Sequence, residues 1–259
     1  MRILVKNLVL ACLVLAVESV GAQTLRIAAA SDLQFAMSDL ARRYEKVSGT
    51  RVAVSYGSSG NFRAQIENGA PFDLFFSADL EYPKRLIAEG FAVGGSFCVY
   101  AHGRLVLWAP AGANLELGRR GFAALKDRRI QKIAIANPEH APYGRAAREA
   151  LERAGIYDEV KTKLVFGENI SQAAQFAESA SAQVGILALS LTFAESMKGG
   201  ERWEVPADLY APVEQAAVVL QASRNKAAAE AFLEFVKSTP AQELLTQYGF
   251  TTPRRAQKL

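Results

Sequence analysis

The stretch LRIAAASDL (25–33) decides how this chain is read. Its run of small apolar residues has the character of a buried strand. The run stops at Ser31, where apolar residues begin to recur at Leu33, Ala36, Met37, Leu40 and Tyr44, the spacing of an amphipathic helix. A strand that feeds directly into a helix presents first-turn amides that have no backbone acceptor. With a serine hydroxyl and the positive end of the helix dipole, such amides hold an oxyanion without a lysine or arginine in contact. A single serine in this place is more often just a helix cap, so repetition carries the weight.

The pattern recurs three times further along. RVAVSY (51–56) reads as a strand and runs into GSSGNFRAQIENG (57–69), where Ser58 and Ser59 offer hydroxyls and Gly57 and Gly60 permit close backbone approach. QKIAIANPEHAPYGRAAREALERAG (131–155) predicts a strand over 132–136 and a helix entered at Pro142, a residue suited to the first helical position, with the Tyr143 amide beside it. KLVFGENISQAAQFAESA (163–180) is the fourth unit, its turn lying at 167–171. Strands alternating with helices predict an α/β fold with mostly parallel sheets, and ligands in such sheets lie beyond the strand C-termini. In FCVYAHGRLVLWAP (97–110) two apolar runs are broken at Ala101, His102 and Gly103, which reads as a crossing between lobes. Two helix entrances before the crossing and two after it predict two lobes sharing a cleft.

The 259 residues suffice for one large or two smaller domains. Arg2, Lys6, the apolar LVLACLVLAV (8–17) and SVGA (19–22) read as a secretory signal peptide over 1–22, which places the mature chain in the periplasm. Cys12 as a lipid anchor is a poor reading, because more apolar residues follow it. Removing the signal leaves Cys98 alone, so no intrachain disulfide is available. The formal charge of +4 becomes +3 on removal of Arg2, Lys6 and Glu18, and no basic stripe interleaved with aromatics points to nucleic acid. His102 and His140 read as loop residues without metal-triad spacing. No nucleophile has a plausible histidine base and no P-loop is present, so the chain is not read as an enzyme. Asp73 and Asp79 read as a strand-entry residue and a helix cap, Arg63 and Arg145 as solvated or salt-bridged. VGILALSLTFAES (184–196) reads as a strand running toward a helix, and residues after Phe250 as a loose tail.

Taken together, AASDL (29–33), YGSSGNFRAQIENGAPFDLFFSAD (56–79), NPEHAPYGRAAREAL (137–151), VGIL (184–187) and QYGF (247–250) resemble, in order, the periplasmic molybdate-binding proteins of ABC importers, the ModA family. The resemblance implies a type II periplasmic-binding-protein architecture of two doubly wound lobes joined by a hinge. Residues 23–102 plus 214–250 would form lobe 1, 103–213 lobe 2, and 251–259 the tail. It implies a monomer without cofactor that captures molybdate or tungstate and hands it to an ABC permease. Carried over by motif, Ser31 and Ser59 would donate hydroxyl and amide hydrogen bonds, and Tyr143 and Ile170 backbone amides. Ser58 would replace Ser59 if the loop register differs by one residue. Some relatives carry a tyrosine where this chain has Ala188; Asn61 or the Tyr143 hydroxyl would compensate. Asp32 must turn its carboxylate from a dianion, by capping or pairing locally.

A fully deprotonated oxyanion needs donors only, so a site of amides and hydroxyls rejects protonated phosphate, which brings a donor of its own. Sulfate, the alternative ligand, is distinguished only by cavity size. A sensor that reports an oxyanion to a membrane partner is the other alternative.

Overall fold

The structure is a computed structural model that describes residues 24–253; the signal peptide read over 1–22 lies outside the described residues. Ten strands run in chain order: β1 Leu25–Ala30, β2 Val52–Gly57, β3 Leu74–Ser77, β4 Cys98–Gly103, β5 Leu105–Ala109, β6 Ile133–Ala136, β7 Leu164–Gly167, β8 Val184–Ala188, β9 Glu201–Glu204 and β10 Val213–Val219. The α-helices are α1 Gln34–Ser48, α2 Ser59–Glu67, α3 Glu81–Ala88, α4 Leu117–Arg120, α5 Pro142–Arg153, α6 Tyr157–Val160, α7 Ile170–Glu178, α8 Lys226–Val236 and α9 Thr239–Gln247. Among the described residues no helix is long and apolar enough to cross a membrane.

The strands form two five-stranded sheets with the orders β2-β1-β3-β10-β4 and β7-β6-β8-β5-β9. In each, three strands are parallel and a fourth, arriving from the other half of the chain, lies antiparallel beside the third. β10 plays this part in the first sheet and β5 in the second. The chain therefore crosses twice, at Arg104 and again between β9 and β10. The break expected at Ala101–Gly103 falls one residue later. Those three residues stay in β4 because Ala101, His102 and Gly103 pair with Gln215, Glu214 and Val213 of β10; His102 is thus a strand residue, not a loop residue.

Side-chain alternation sorts the first sheet onto two faces. Leu25, Ile27, Ala29, Leu74, Phe76, Ala217 and Val219 pack with α1, α8 and α9, while Ala28, Phe75 and Val218 pack with α2 and α3. Phe232 of α8 anchors the first face, its ring edge-on to Tyr44 at 5.0 Å and to Phe76 at 6.0 Å; truncating such a buried ring costs about 3–5 kcal/mol. The second lobe has one continuous core around β5, β6 and β8, in which Trp108 is buried and donates through Nε1 to the Met197 carbonyl at 3.1 Å.

Two sequence expectations change. After β8 the chain makes 3-10 turns at Leu189–Phe193 and Glu195–Met197 instead of an α-helix. The segment after Phe250 does not begin loose: Thr251 bridges His102, with the His102 amide 2.6 Å from its carbonyl, which ties residue 251 to β4 beside the first crossing; the rest of the expected tail, 254–259, lies outside the described residues.

Candidate functional site

Four strand-to-helix turns meet between the two sheets. Ser31 follows β1 in a single 3-10 turn, Ser31–Leu33, that leads into α1. Ser58 follows β2 and caps α2, accepting the Asn61 amide on its hydroxyl at 3.3 Å. Ala141 and Pro142 open α5, and Asn169 caps α7 through its side chain, accepting the Gln172 amide at 3.1 Å. α5 sits this close to the end of β6 because residue 144 is glycine: a Cβ there would lie 2.2 Å from the Ala136 carbonyl oxygen.

These turns line a small cavity of about 10 Å3, its wall including Ser31, Asp32, Ser58, Ser59, Tyr143 and Ile170. The first-turn amides of the three helices show what the cavity offers. In α2, Gly60 donates to the His140 carbonyl, Asn61 to Ser58 Oγ and Phe62 to the Ser58 carbonyl, leaving the Ser59 amide. In α5, Gly144 and Arg145 both donate to the Ala141 carbonyl, leaving that of Tyr143. In α7, Ser171 donates to Ser31 Oγ, Gln172 to Asn169 Oδ1 and Ala173 to the Asn169 carbonyl, leaving that of Ile170. Each helix thus keeps one amide with no acceptor among the described residues, and each belongs to a residue lining the cavity.

The hydroxyls complete the set. Ser59 Oγ accepts the Ala78 amide at 3.0 Å, which leaves its proton to donate. Ser31 Oγ accepts the Ser171 amide at 3.3 Å and donates to Asn169 Oδ1 at 3.2 Å across the cleft, a bond it exchanges to donate to a ligand. Among the described residues no lysine or arginine lines the cavity. Positive potential comes from the helix N-termini, which suits an anion held through its oxygens.

The lobes close directly over this cavity. Besides Ser31 with Asn169 and Ser171, Ser190 Oγ donates to the Asp32 carbonyl at 2.8 Å, Asn61 to Glu168, and Arg145 to Asp79 at 2.5 Å and to the Tyr82 hydroxyl at 3.1 Å. His140 Nδ1 lies 3.0 Å from Ser58 Oγ. Burial holds the Asp79 carboxyl above its ordinary value despite Arg145 beside it. Gly60 serves this closure rather than approach to a ligand, since a Cβ there would lie 2.7 Å from the His140 carbonyl oxygen.

The candidates read from sequence therefore separate. Ser31, Ser59, Tyr143 and Ile170 share the cavity wall. Ser58 lines it too, but its hydroxyl is occupied by the cap and by His140. Asn61 does not line it: two positions beyond Ser59, its side-chain amide donates to Glu168 on the rim. Ala188 is fully buried in β8 opposite Leu105 and is not a lining residue. The Tyr143 hydroxyl cannot stand in for a tyrosine at 188, because it points away to Gln215 Nε2 at 3.2 Å. Arg63 is salt-bridged to Glu67 and Arg145 to Asp79.

Asp32 departs most from expectation. It makes no side-chain cap, and beyond the backbone of Asp32 and Leu33 its carboxylate looks far along the chain: Oδ2 accepts from Gln215 Nε2 at 2.6 Å, a partner 183 positions away. Gln215 is oriented by Tyr100, whose hydroxyl donates to Oε1 at 2.7 Å, and a β-bulge at Gln215/Ala216 sets its side chain at this depth. Burial pushes the Asp32 carboxyl up to about 6, against the Gln215 and Tyr143 side chains that favour its charged form. Burial also raises the Tyr143 and Tyr100 phenols well above their usual value. The sequence reading missed Asn169, Ser171, His140 and Gln215. Asn169 ahead of an apolar helix is a cap signal, and Gln215 is the one polar residue on the buried side of VEQAAVV.

Two α/β lobes closed over a cavity of hydroxyls and unsatisfied amides define a two-lobed ligand-binding protein. The chain belongs to the bacterial extracellular solute-binding proteins, whose family model matches residues 25–251. It is 42% identical over 209 residues to the molybdate-binding protein ModA of Rhodobacter capsulatus, covering 81% of each chain. It is 39% identical over 230 residues to ModA of Azotobacter vinelandii, covering 88% of this chain and 90% of that one. The solved periplasmic molybdate-binding protein of Azotobacter vinelandii superposes with a TM-score of 0.84 at 35% identity, over 89% of this chain and all of that one.

Proposed function

We propose that the chain captures molybdate between its lobes, in the periplasm, and delivers it to an ABC permease. The observation that carries this reading is the set of three helix-entry amides, Ser59, Tyr143 and Ile170, each without an acceptor and each on the wall of one cavity. They are joined by the Ser31 and Ser59 hydroxyls. Five donors from two lobes match a tetrahedral dianion that carries acceptors only. All are donors to oxygen, and none is a ligand to the metal centre. The ModA relatives favour molybdate over sulfate as the anion.

Tungstate, with the same charge and shape, binds as well. Phosphate is rejected where it brings a proton that meets no acceptor. Sulfate is rejected because the smaller ion leaves donors from one lobe unpaired. Binding and closure are one event, since donors from both lobes reach the ligand together only in the closed form. The chain acts as a monomeric binding protein rather than an enzyme.

The test is calorimetric titration of the mature protein, stripped of bound ions, with molybdate, tungstate, sulfate and phosphate. One-to-one binding of the first two, at least about a hundredfold tighter than the others, is expected; equal or tighter binding of sulfate overturns the reading.

A further inference from the structure

We propose that Asp32 takes up a proton when the oxyanion enters, so that capture is coupled to one proton and weakens as the pH rises above neutral. This rests on the molybdate reading and deepens it.

Among the described residues Asp32 alone brings a carboxyl group to the cavity wall, and it is buried. Oδ2 is held by Gln215, whereas Oδ1 is buried with no hydrogen-bond partner. An ionised carboxylate has nothing but acceptors to show a dianion; a protonated one carries a donor. Oδ1 is where the proton fits, because no existing donor has to be displaced from it.

No cation offsets the charge. The groups that face Asp32 are the backbone amides of Asp32 and Leu33, the neutral Gln215 of β10, and the phenols of Tyr143 on α5 and Tyr100 on β4, both held neutral by burial. α1 directs its ionisable side chains elsewhere: Asp39 to Tyr248 and Arg42, Glu45 to the Val52 amide, with Arg42, Arg43 and Lys46 exposed and Tyr44 packed on Phe232. On β2, Tyr56 pairs with Ser38; on α7, Glu178 is exposed; Leu189–Phe193 holds no ionisable residue. Burial, net of the hydrogen bonds that oppose it, already brings the carboxyl to about 6. A dianion in the same cavity adds like-charge repulsion and raises it further, so above that pH each bound anion recruits a proton from solvent.

The test is calorimetry of the stripped protein with sodium molybdate at pH 6.5, 7.5 and 8.5, each in two buffers of different ionisation enthalpy. The expected result is uptake approaching one proton per anion at pH 7.5 and above, with affinity falling by up to about tenfold per pH unit. Asp32→Asn is expected to abolish the uptake and flatten the pH dependence, with thermal melting as the check that it is folded. Molybdate binding by the parent protein without buffer-dependent heat overturns the inference whatever the variant does, and so does a variant that retains the parent's uptake. Phosphate bound more tightly than molybdate, without proton uptake, overturns it in favour of an ionised Asp32 that accepts the phosphate's own proton. Absence of molybdate binding at every pH overturns the functional reading itself, and is distinguishable from these.

Discussion

The two halves of the cavity are built from different materials. The first lobe contributes mostly side chains, the hydroxyls of Ser31 and Ser59 and the carboxyl of Asp32, with the Ser59 amide as its one main-chain donor. The second contributes main chain, the amides of Tyr143 and Ile170, whose side chains do other work. The Tyr143 phenol sits in the Asp32 network, and the Ile170 side chain is buried in the core of the second lobe. The first half is therefore open to tuning by point substitution. The second is fixed by where two helices begin, and only a change to the backbone alters it.

The largest effect expected is on the side-chain half. Replacing Ser31 and Ser59 together by alanine removes two hydrogen bonds to a charged ligand, each worth about 1.5–3 kcal/mol. Molybdate affinity should fall by about a hundredfold or more in calorimetry. An unchanged affinity would mean that the amides alone hold the ion and that the contrast between the halves is empty.

Next comes Asp32 and the stability of the apoprotein. Its folded value, about 6, lies above the ordinary 3.8, so the folded state holds the proton more tightly than the unfolded chain does. This contribution is fully present below about pH 4 and is lost as the pH rises through about 6, amounting to about 3 kcal/mol at 1.36 kcal/mol per unit. Urea unfolding at pH 4.5 and pH 8 should show Asp32→Asn gaining relative to the parent by about 2–3 kcal/mol at the higher pH. No relative gain would show that the carboxyl is better solvated than its burial implies.

The main-chain half is probed by a proline. Ile170 occupies the first position of α7, and Asn169 before it is extended, with φ −149° and ψ 176°. Both are compatible with proline at 170, which costs the helix no intrahelical bond there. Ile170→Pro should weaken molybdate binding by about tenfold to a hundredfold, the loss of one charge-assisted donor, while Ile170→Val should leave it within about threefold. Equal effects from the two variants would assign the role to the side chain. The smallest change expected is at the rim, where Arg145 is half-exposed and bridges to Asp79. Arg145→Ala should alter affinity by no more than about 1 kcal/mol, most visibly at low salt.

The side-chain half is legible in the sequence itself, and the main-chain half only through family resemblance. A serine at a strand end is visible in a sequence; an amide is present at every residue but proline. The amides of Tyr143 and Ile170 stand out only when hydrogen bonds are followed through the first turn and one donor is left over in each helix. Asp32 shows the opposite failure. Its neighbour Ser31 and the first turn of a helix suggest a cap, but Gln215 lies 183 positions away, and nothing local indicates that a strand from the far end of the chain delivers an amide there. The same holds for Asn61, whose partner Glu168 belongs to the other lobe.

By itself the sequence determined the alternation of strands and helices, the four helix entrances, and the crossing near residue 102, because hydrophobic period and turn chemistry are local properties of the chain. Tertiary structure alone decided which donors remain free, which serine of the pair at 58 and 59 gives its hydroxyl to a cap, and that Asp32 lies buried beside the cavity with one oxygen unpartnered. Those outcomes depend on competition among groups brought together from distant parts of the chain, and a hydrogen-bond donor becomes available to a ligand only where that competition leaves it without an acceptor.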